Sequence, residues 1–213
     1  MTIDIVSLQN IQKIIHNYSD AELLIVSKNR EEKDILSLIK LGFKKFGENR
    51  VQEASQKFKK IINNQFYPID LHLIGPLQSN KVKQALEIFD TIQSIDREKI
   101  IDTIAKEKIR IDNIKTHSFF LQVNIGEEVQ KFGIHPKKLN SLYNYALNKN
   151  LNIQGLMCIP PNDNNPKVYF DLMKSLRDQI NPNLKLSMGM SADYKVALEC
   201  GSNFIRVGSK IFL

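Results

Sequence analysis

Apolar positions along this chain fall into short runs that alternate with stretches of helical spacing. Leu23–Leu24–Ile25–Val26 is four apolar residues in succession, the pattern of a strand buried on both faces, and Ser27 and Lys28 follow it. Glu31–Leu41 then carries Ile35, Leu38, Ile39 and Leu41 at helical spacing and meets Gly42, a glycine suited to a C-cap. Lys44–Gly47 predicts a strand, and Asn49–Ile62 a helix with Val51, Ala54, Phe58, Ile61 and Ile62 as its apolar stripe. The beat continues with strands over Asp70–Gly75, Thr91–Ile95, Phe119–Asn124, Leu151–Met157, Leu184–Met188 and Asn203–Gly208. Helices over Ser79–Phe89, Arg97–Glu107, Pro136–Leu147, Pro166–Gln179 and Ala192–Glu199 separate them. A further helical segment, Ile3 to Tyr18 with Ile11, Ile14 and Ile15, precedes the first strand.

Eight such units favour a closed (β/α)8 TIM barrel, an α/β fold, over an open doubly wound sheet. An open sheet has fewer strands and a glycine-rich turn after the first, where this chain has Lys28–Asn29–Arg30. No Pro/Gly/Ser-rich linker divides the 213 residues, so a single domain over 1–213 with an extra N-terminal helix is expected. A barrel places its active groups at the C-terminal strand ends, with phosphate commonly bound after strands seven and eight.

Composition narrows the class. Hydrophobic content of 42% with 25% charged residues suits a globular protein, and no apolar run approaches the ~20 residues of a membrane span. Met1–Asp4 begins no secretory signal, so a cytoplasmic protein with Cys158 and Cys200 as reduced thiols is expected. The net charge of +7 is scattered over the helices. Lys57–Phe58–Lys59–Lys60 is the nearest approach to a basic, aromatic cluster and falls on one helix face, so neither nucleic acid nor membrane is expected as a partner.

The strand ends carry the chemistry: Lys28, Glu48–Asn49, His72 and Gly75, Ser94 and Asp96, Asn124, Met157, Ser187–Ser191, and Arg206–Ser209. Lys28 either closes a buried strand, where desolvation disfavours its charge and frees a nucleophilic amine, or begins a surface loop. Ser191, placed at a helix start, and the backbone donors of Gly208 and Ser209 form a phosphate cup; singly, each reads as a cap or a turn. Arg206, if inward, needs an acceptor such as a phosphate or a ring nitrogen; if outward, it makes a surface pair. Glu48 and Asp96 either orient Lys28 or cap and pair. No chemistry is assigned to His16, His117 or His135, and no metal site is expected. A nucleophilic lysine facing a phosphate cup describes a pocket for pyridoxal 5′-phosphate (PLP), with Lys28 at the aldehyde end.

Specific strings extend this reading: VSK at Val26–Lys28, FGENRVQE at Phe46–Glu53, HLIGPLQSNK at His72–Lys81, QVNI at Gln122–Ile125 with Lys131 and Gly133 after it, GLM at Gly155–Met157, LSMGMSAD at Leu186–Asp193 and RVGSKIF at Arg206–Phe212. With these the chain resembles the pyridoxal 5′-phosphate homeostasis protein family, whose barrel is similar to the N-terminal domain of alanine racemase. The resemblance implies that Lys28 is the Schiff-base lysine, that Ser191, Gly208 and Ser209 hold the phosphate, and that Arg206 lies in the cofactor site. It also implies that Asn49 lies close to the ring and that Met188, Gly189 and Met190 border the phosphate. His72, Asn80 and Met157 fall at the mouth, with His72 read equally as a satisfied core histidine. One departure is the ending Ile211–Phe212–Leu213, where relatives continue with a glycine and a few further residues.

The function so implied is PLP binding and vitamin B6 homeostasis without robust catalysis. Alanine racemase takes its second acid/base, a tyrosine, from a C-terminal β-domain that is not expected here. Tyr18, Tyr67, Tyr143, Tyr145, Tyr169 and Tyr194 fall mostly on helices or loops away from the strand ends. Expected partners are PLP, other B6 vitamers and, transiently, PLP-requiring apoenzymes, with the chain a monomer. The alternatives are a PLP-dependent racemase or decarboxylase, and a cofactor-free Schiff-base aldolase acting on a sugar phosphate.

Overall fold

A computed structural model describes residues 3–63, 68–163 and 165–212, which leaves Tyr67 and Leu213 outside the described residues. Eight parallel strands close into a barrel in sequence order: β1 (Glu22–Val26), β2 (Lys45–Glu48), β3 (Asp70–Leu73), β4 (Thr91–Ile95), β5 (Ser118–Val123), β6 (Ile153–Cys158), β7 (Lys185–Met190) and β8 (Phe204–Val207). Helix α1 (Ile5–Ile15) precedes them, and α2 (Glu32–Lys40), α3 (Val51–Asn63), α4 (Val82–Ile88), α5 (Glu98–Arg110), α6 (Leu139–Asn148), α7 (Pro166–Ile180) and α8 (Tyr194–Glu199) alternate with the strands. The (β/α)8 barrel with an extra N-terminal helix is therefore the fold. Among the described residues no helix is long and apolar enough to cross a membrane.

Parallel strands wrapped by helices are buried on both faces, which is why they read as unbroken apolar runs. β5 is buried along its whole length. Ile25, Phe46, Leu71, Ile92, Leu121, Leu186 and Ile205 face outward into the main core with helix residues such as Ile35, Leu38, Ala54 and Phe58. Phe120, Met157 and Phe204 form a small second cluster. Burying each large side chain contributes about 1.5–3 kcal/mol, so the outer layer carries most of the apolar stabilisation.

Closure pairs β1 with β8, Leu24 opposite Arg206 and Ile25 opposite Val207. The strands approach so closely that a Cβ on Gly208 would lie 3.0 Å from the Val26 carbonyl oxygen and 3.1 Å from its Cβ. Segments about 180 residues apart in sequence thereby share one edge of the mouth.

Several boundaries differ from expectation. β1 ends at Val26, so Ser27 and Lys28 lie beyond it, whereas β7 runs on to Met190 and α8 begins only at Tyr194. Ser79–Lys81 and Pro136–Lys138 are separate 3-10 turns ahead of their helices. Leu41, expected on the buried stripe of its helix, is 52% exposed because it is the C-cap, and Gly42 takes the left-handed turn at φ 91°.

Gly155 in β6 leaves no room for a side chain. A Cβ there would stand 2.2 Å from the Phe120 ring and 2.4 Å from the Lys185 carbonyl oxygen. Gly155→Ala is expected to lower stability by about 1–3 kcal/mol, read as a reduced urea midpoint in circular dichroism.

Candidate cofactor site

Lys28 is exposed in a turn two residues past β1, so the expected desolvation of its ammonium is not what the structure provides. The ladder ends before it, and the turn then swings the side chain to solvent. What the fold does provide is a fixed turn. Ser27 N–H donates to the Gly47 carbonyl at 3.0 Å, and Arg30 N–H donates back to the Ser27 carbonyl at 3.1 Å. Asn29 sits at φ 58°, a left-handed conformation that side chains other than glycine's seldom adopt.

Side chains from β2 and α3 hold that turn. Lys57 Nζ donates to the Ser27 carbonyl at 2.7 Å and lies 2.6 Å from Glu48 Oε1 and 2.8 Å from Glu53 Oε1. Ser27 Oγ donates to Glu48 Oε1 at 2.6 Å, and the Asn29 N–H donates to Glu53 Oε1. Both neighbours of Lys28 are thus tied to one ionic cluster. Burial pushes the fully buried Glu48 carboxyl up, against the pull of Lys57 and Ser27. Burial also opposes the Glu53 charge, yet Lys57 and the Asn29 N–H hold that carboxyl below its ordinary value. Glu48 accordingly acts on the lysine turn through its partners, whereas Asp96 pairs with Arg97, whose other end donates to the Leu77 carbonyl at 3.1 Å.

Two strands round the barrel, past β8, Ser191 lies half-buried in the turn after β7. It does not begin a helix. α8 has only six residues, its N-cap position is Asp193, and Asp193 Oδ1 accepts the Met190 N–H at 2.6 Å. Any anion at Ser191 is therefore met by a hydroxyl and loop N–H groups and not by a helix terminus. Met188 packs its side chain into the outer core, with Ser202 Oγ donating to its carbonyl at 2.7 Å, so the side chain is turned away from the mouth. Gly189, at φ 92°, would carry a Cβ only 2.4 Å from the Ala197 Cβ and so seats α8 against β7. Gly208 is half-buried beside Val26, and Ser209 next to it is exposed.

Arg206 points inward and is 3% exposed. Its guanidinium donates to Ser187 Oγ at 2.9 Å and to the Cys158 carbonyl at 2.7 Å, and among the described residues no carboxylate pairs with it. Burial holds this group below its usual pKa. Asp193 attracts this cation only at a distance and its hydrogen-bond acceptors are neutral, an arrangement that an anionic ligand or a ring nitrogen would complete.

Asn49 follows β2 in a bend pressed against the end of β3; a Cβ on Gly75 would lie 2.2 Å from the Asn49 carbonyl oxygen. A groove of about 460 Å³ runs beside it, lined by Arg50, Gln78, Lys81 and Phe132 among others. Asn80 is exposed in its 3-10 turn. Two residues expected at the mouth lie deeper: Met157 packs with Phe120 and Phe204, and His72 is a core histidine whose Nδ1 is 2.7 Å from Gln93 Nε2 while its buried Nε2 has no hydrogen-bond partner among the described residues. Burial pushes the Cys158 thiol up to about 12 and that of Cys200 up to about 11, so both are inert as well as unpaired. Lys57 and Glu53 escaped the sequence reading although their four-residue spacing on a helix signals a pair; Gln93 escaped it although it interrupts a strand otherwise read as buried.

The geometry defines a (β/α)8 barrel with a tethered lysine turn after strand one and an inward arginine on strand eight. The chain belongs to the pyridoxal phosphate homeostasis protein family. It is 37% identical to the pyridoxal phosphate homeostasis protein of Pasteurella multocida, covering 96% of this chain and 92% of that one. Against the protein of the same name from Aquifex aeolicus it is 36% identical over 90% of this chain and 86% of that one. Among solved structures, PipY of Synechococcus elongatus with PLP bound superposes with a TM-score of 0.83 at 30% identity, over 98% of this chain and 99% of that one. Alanine racemase of Clostridium difficile shares the fold at a TM-score of 0.69 and 12% identity, over 98% of this chain and 56% of that one. No protein-family model matches the chain.

Replacing Lys57 with methionine leaves the buried Glu48 carboxylate without its cation, and a loss of about 3–5 kcal/mol in unfolding free energy is expected. Because burial raises the Glu48 pKa in the folded state, folded protein binds more protons than unfolded protein, and stability falls as pH rises through that interval. The deficit of Lys57→Met should therefore shrink as pH is lowered from about 8 to about 5 in urea titrations. A deficit independent of pH would refute this account of Glu48.

Proposed function

We propose that this chain binds PLP at the C-terminal mouth, carries it as a Schiff base on Lys28, and serves vitamin B6 homeostasis without turnover of its own. The observation that carries the reading is Arg206, buried, cationic and without a hydrogen-bonded carboxylate among the described residues, on the strand whose Gly208 lies against Val26 before the lysine turn. The name of the relatives and the PLP bound to PipY support it.

When bound, PLP supplies an electrophilic aldehyde at one end and a phosphate dianion at the other. Lys28 would supply the amine for the aldehyde end, while the Lys57–Glu48–Glu53 cluster keeps its turn in place. Ser191, Ser209 and the Gly208 backbone would hold the phosphate. Arg206 would lie toward the pyridine nitrogen, where a fixed cation disfavours a second positive charge. Asn49 stands beside the ring, and Met188 and Gly189 contribute through backbone alone.

Proton transfer on both faces of such a ring needs a second acid/base opposite the lysine. Tyr143, Tyr145 and Tyr169 lie on α6 and α7, and Tyr194 at the start of α8 is buried in the outer core. The reading is completed by a cytoplasmic monomer that exchanges PLP and other B6 vitamers with apoenzymes by transient contact.

Purified protein incubated with PLP should develop a visible absorbance band, and borohydride should fix the pyridoxyl group on the peptide containing Lys28. Lys28→Ala should abolish both and leave the thermal midpoint unchanged, since the side chain is exposed. A band that survives Lys28→Ala sinks the reading; amino-acid turnover lost with Lys28 would make the protein an enzyme.

A further inference from the structure

Inside the barrel, below the mouth, a file of polar side chains runs from β8 to the first residue of β3. Arg206 donates to Ser187 Oγ at 2.9 Å, and Ser187 Oγ donates in turn to Gln93 Oε1 at 2.6 Å. With that oxygen engaged, the Gln93 amide N–H faces His72 Nδ1 at 2.7 Å, so Nδ1 is the acceptor and Nε2 carries the proton. His72 Nε2 stands 2.9 Å from Asp70 Oδ1, close enough for electrostatic attraction though off the hydrogen-bond axis. Asp70 is held by Lys45, which also lies 3.2 Å from Glu22, at the N-terminal edge of the barrel. Burial works against the Asp70 charge, yet His72 and Lys45 hold its carboxyl well below the usual range.

The three hydrogen bonds of this file point the same way, from the guanidinium to His72, and Ser187, Gln93 and His72 are each at most 1% exposed. Hydrogen bonds in series polarise one another, and a one-way series leaves each group a single orientation. Ser187 gives its hydroxyl proton to Gln93 and so keeps its lone pairs turned toward Arg206. Gln93 keeps its oxygen toward Ser187 only while its amide has an acceptor at His72.

We propose that Gln93 and His72 are positioning residues for the cofactor site, fixing through Ser187 the direction in which Arg206 presents its remaining N–H groups to the PLP ring. This rests on the reading that Arg206 lies in that site. Neither Gln93 nor His72 lies at the mouth, and their influence travels through the file.

The test uses full-length protein loaded with PLP, with wild type, Gln93→Met, His72→Phe, Ser187→Ala and His72→Asn compared by equilibrium PLP titration and by the position of the visible band. Gln93→Met and His72→Phe should weaken PLP at least threefold and displace the band, with Ser187→Ala, one bond from the guanidinium, giving the largest change. His72→Asn keeps an acceptor at the Nδ1 position and should restore affinity and band position toward wild type. Ser187→Ala deletes only a hydroxyl and remains informative if a larger replacement fails to fold. Wild-type protein that binds no PLP overturns the reading of the site itself. Wild-type binding with affinity and band unchanged in Gln93→Met, His72→Phe and Ser187→Ala, or no rescue by His72→Asn, overturns the positioning role alone.

Discussion

The ladder between β1 and β8 is the contact on which the mouth depends. Its register sets Leu24 against Arg206, and alternation along each strand decides which residues enter the barrel. A slip of one residue would send Arg206 out among the helices and bring Ile205 or Val207 inward. The same ladder brings Gly208 against Val26, the last residue of β1 before the lysine turn. The two ends of the fold thus meet at the mouth, and the six strands between them close the barrel that brings them together.

Two buried ionic arrangements on either side of the barrel wall refine what closure provides. Lys57, Glu48 and Glu53 lie on the helix side and grip the backbone on both flanks of Lys28. Arg206 and its file lie on the inner side and end at the opposite rim. Removing such charges from water is costly, and apolar packing would stabilise the wall at least as well. What the ionic groups add is direction, because hydrogen bonds admit one orientation where methyl groups admit several.

The architecture was legible because parallel strands and their covering helices leave distinct periods, and Leu23–Val26 or Phe119–Val123 are too apolar to be surface. Arg206 was legible for a related reason, as a charge in the middle of a buried strand. Local endings were not. Lys28 looked like the inner end of a strand because strand length is set by the neighbouring ladder, and that ladder stops at Val26. Ser191 looked like a helix start because serine caps helices well, but Asp193 two residues later takes the Met190 N–H and moves the start. Met188 lay in the right motif on the wrong face, a distinction that needs the parity of Ser187 beside it.

Exposure of Lys28 bears on how long anything stays attached. Enzymes that do chemistry on a carbonyl adduct of lysine close the site and keep bulk water out, since water returns such an adduct to amine and carbonyl. Here the lysine stands in a solvent-facing turn whose backbone is clamped while its side chain is free. A carbonyl adduct at such a position would meet bulk water directly. If Lys28 holds the cofactor as proposed, residence time would be set by hydrolysis at one solvent-facing nitrogen.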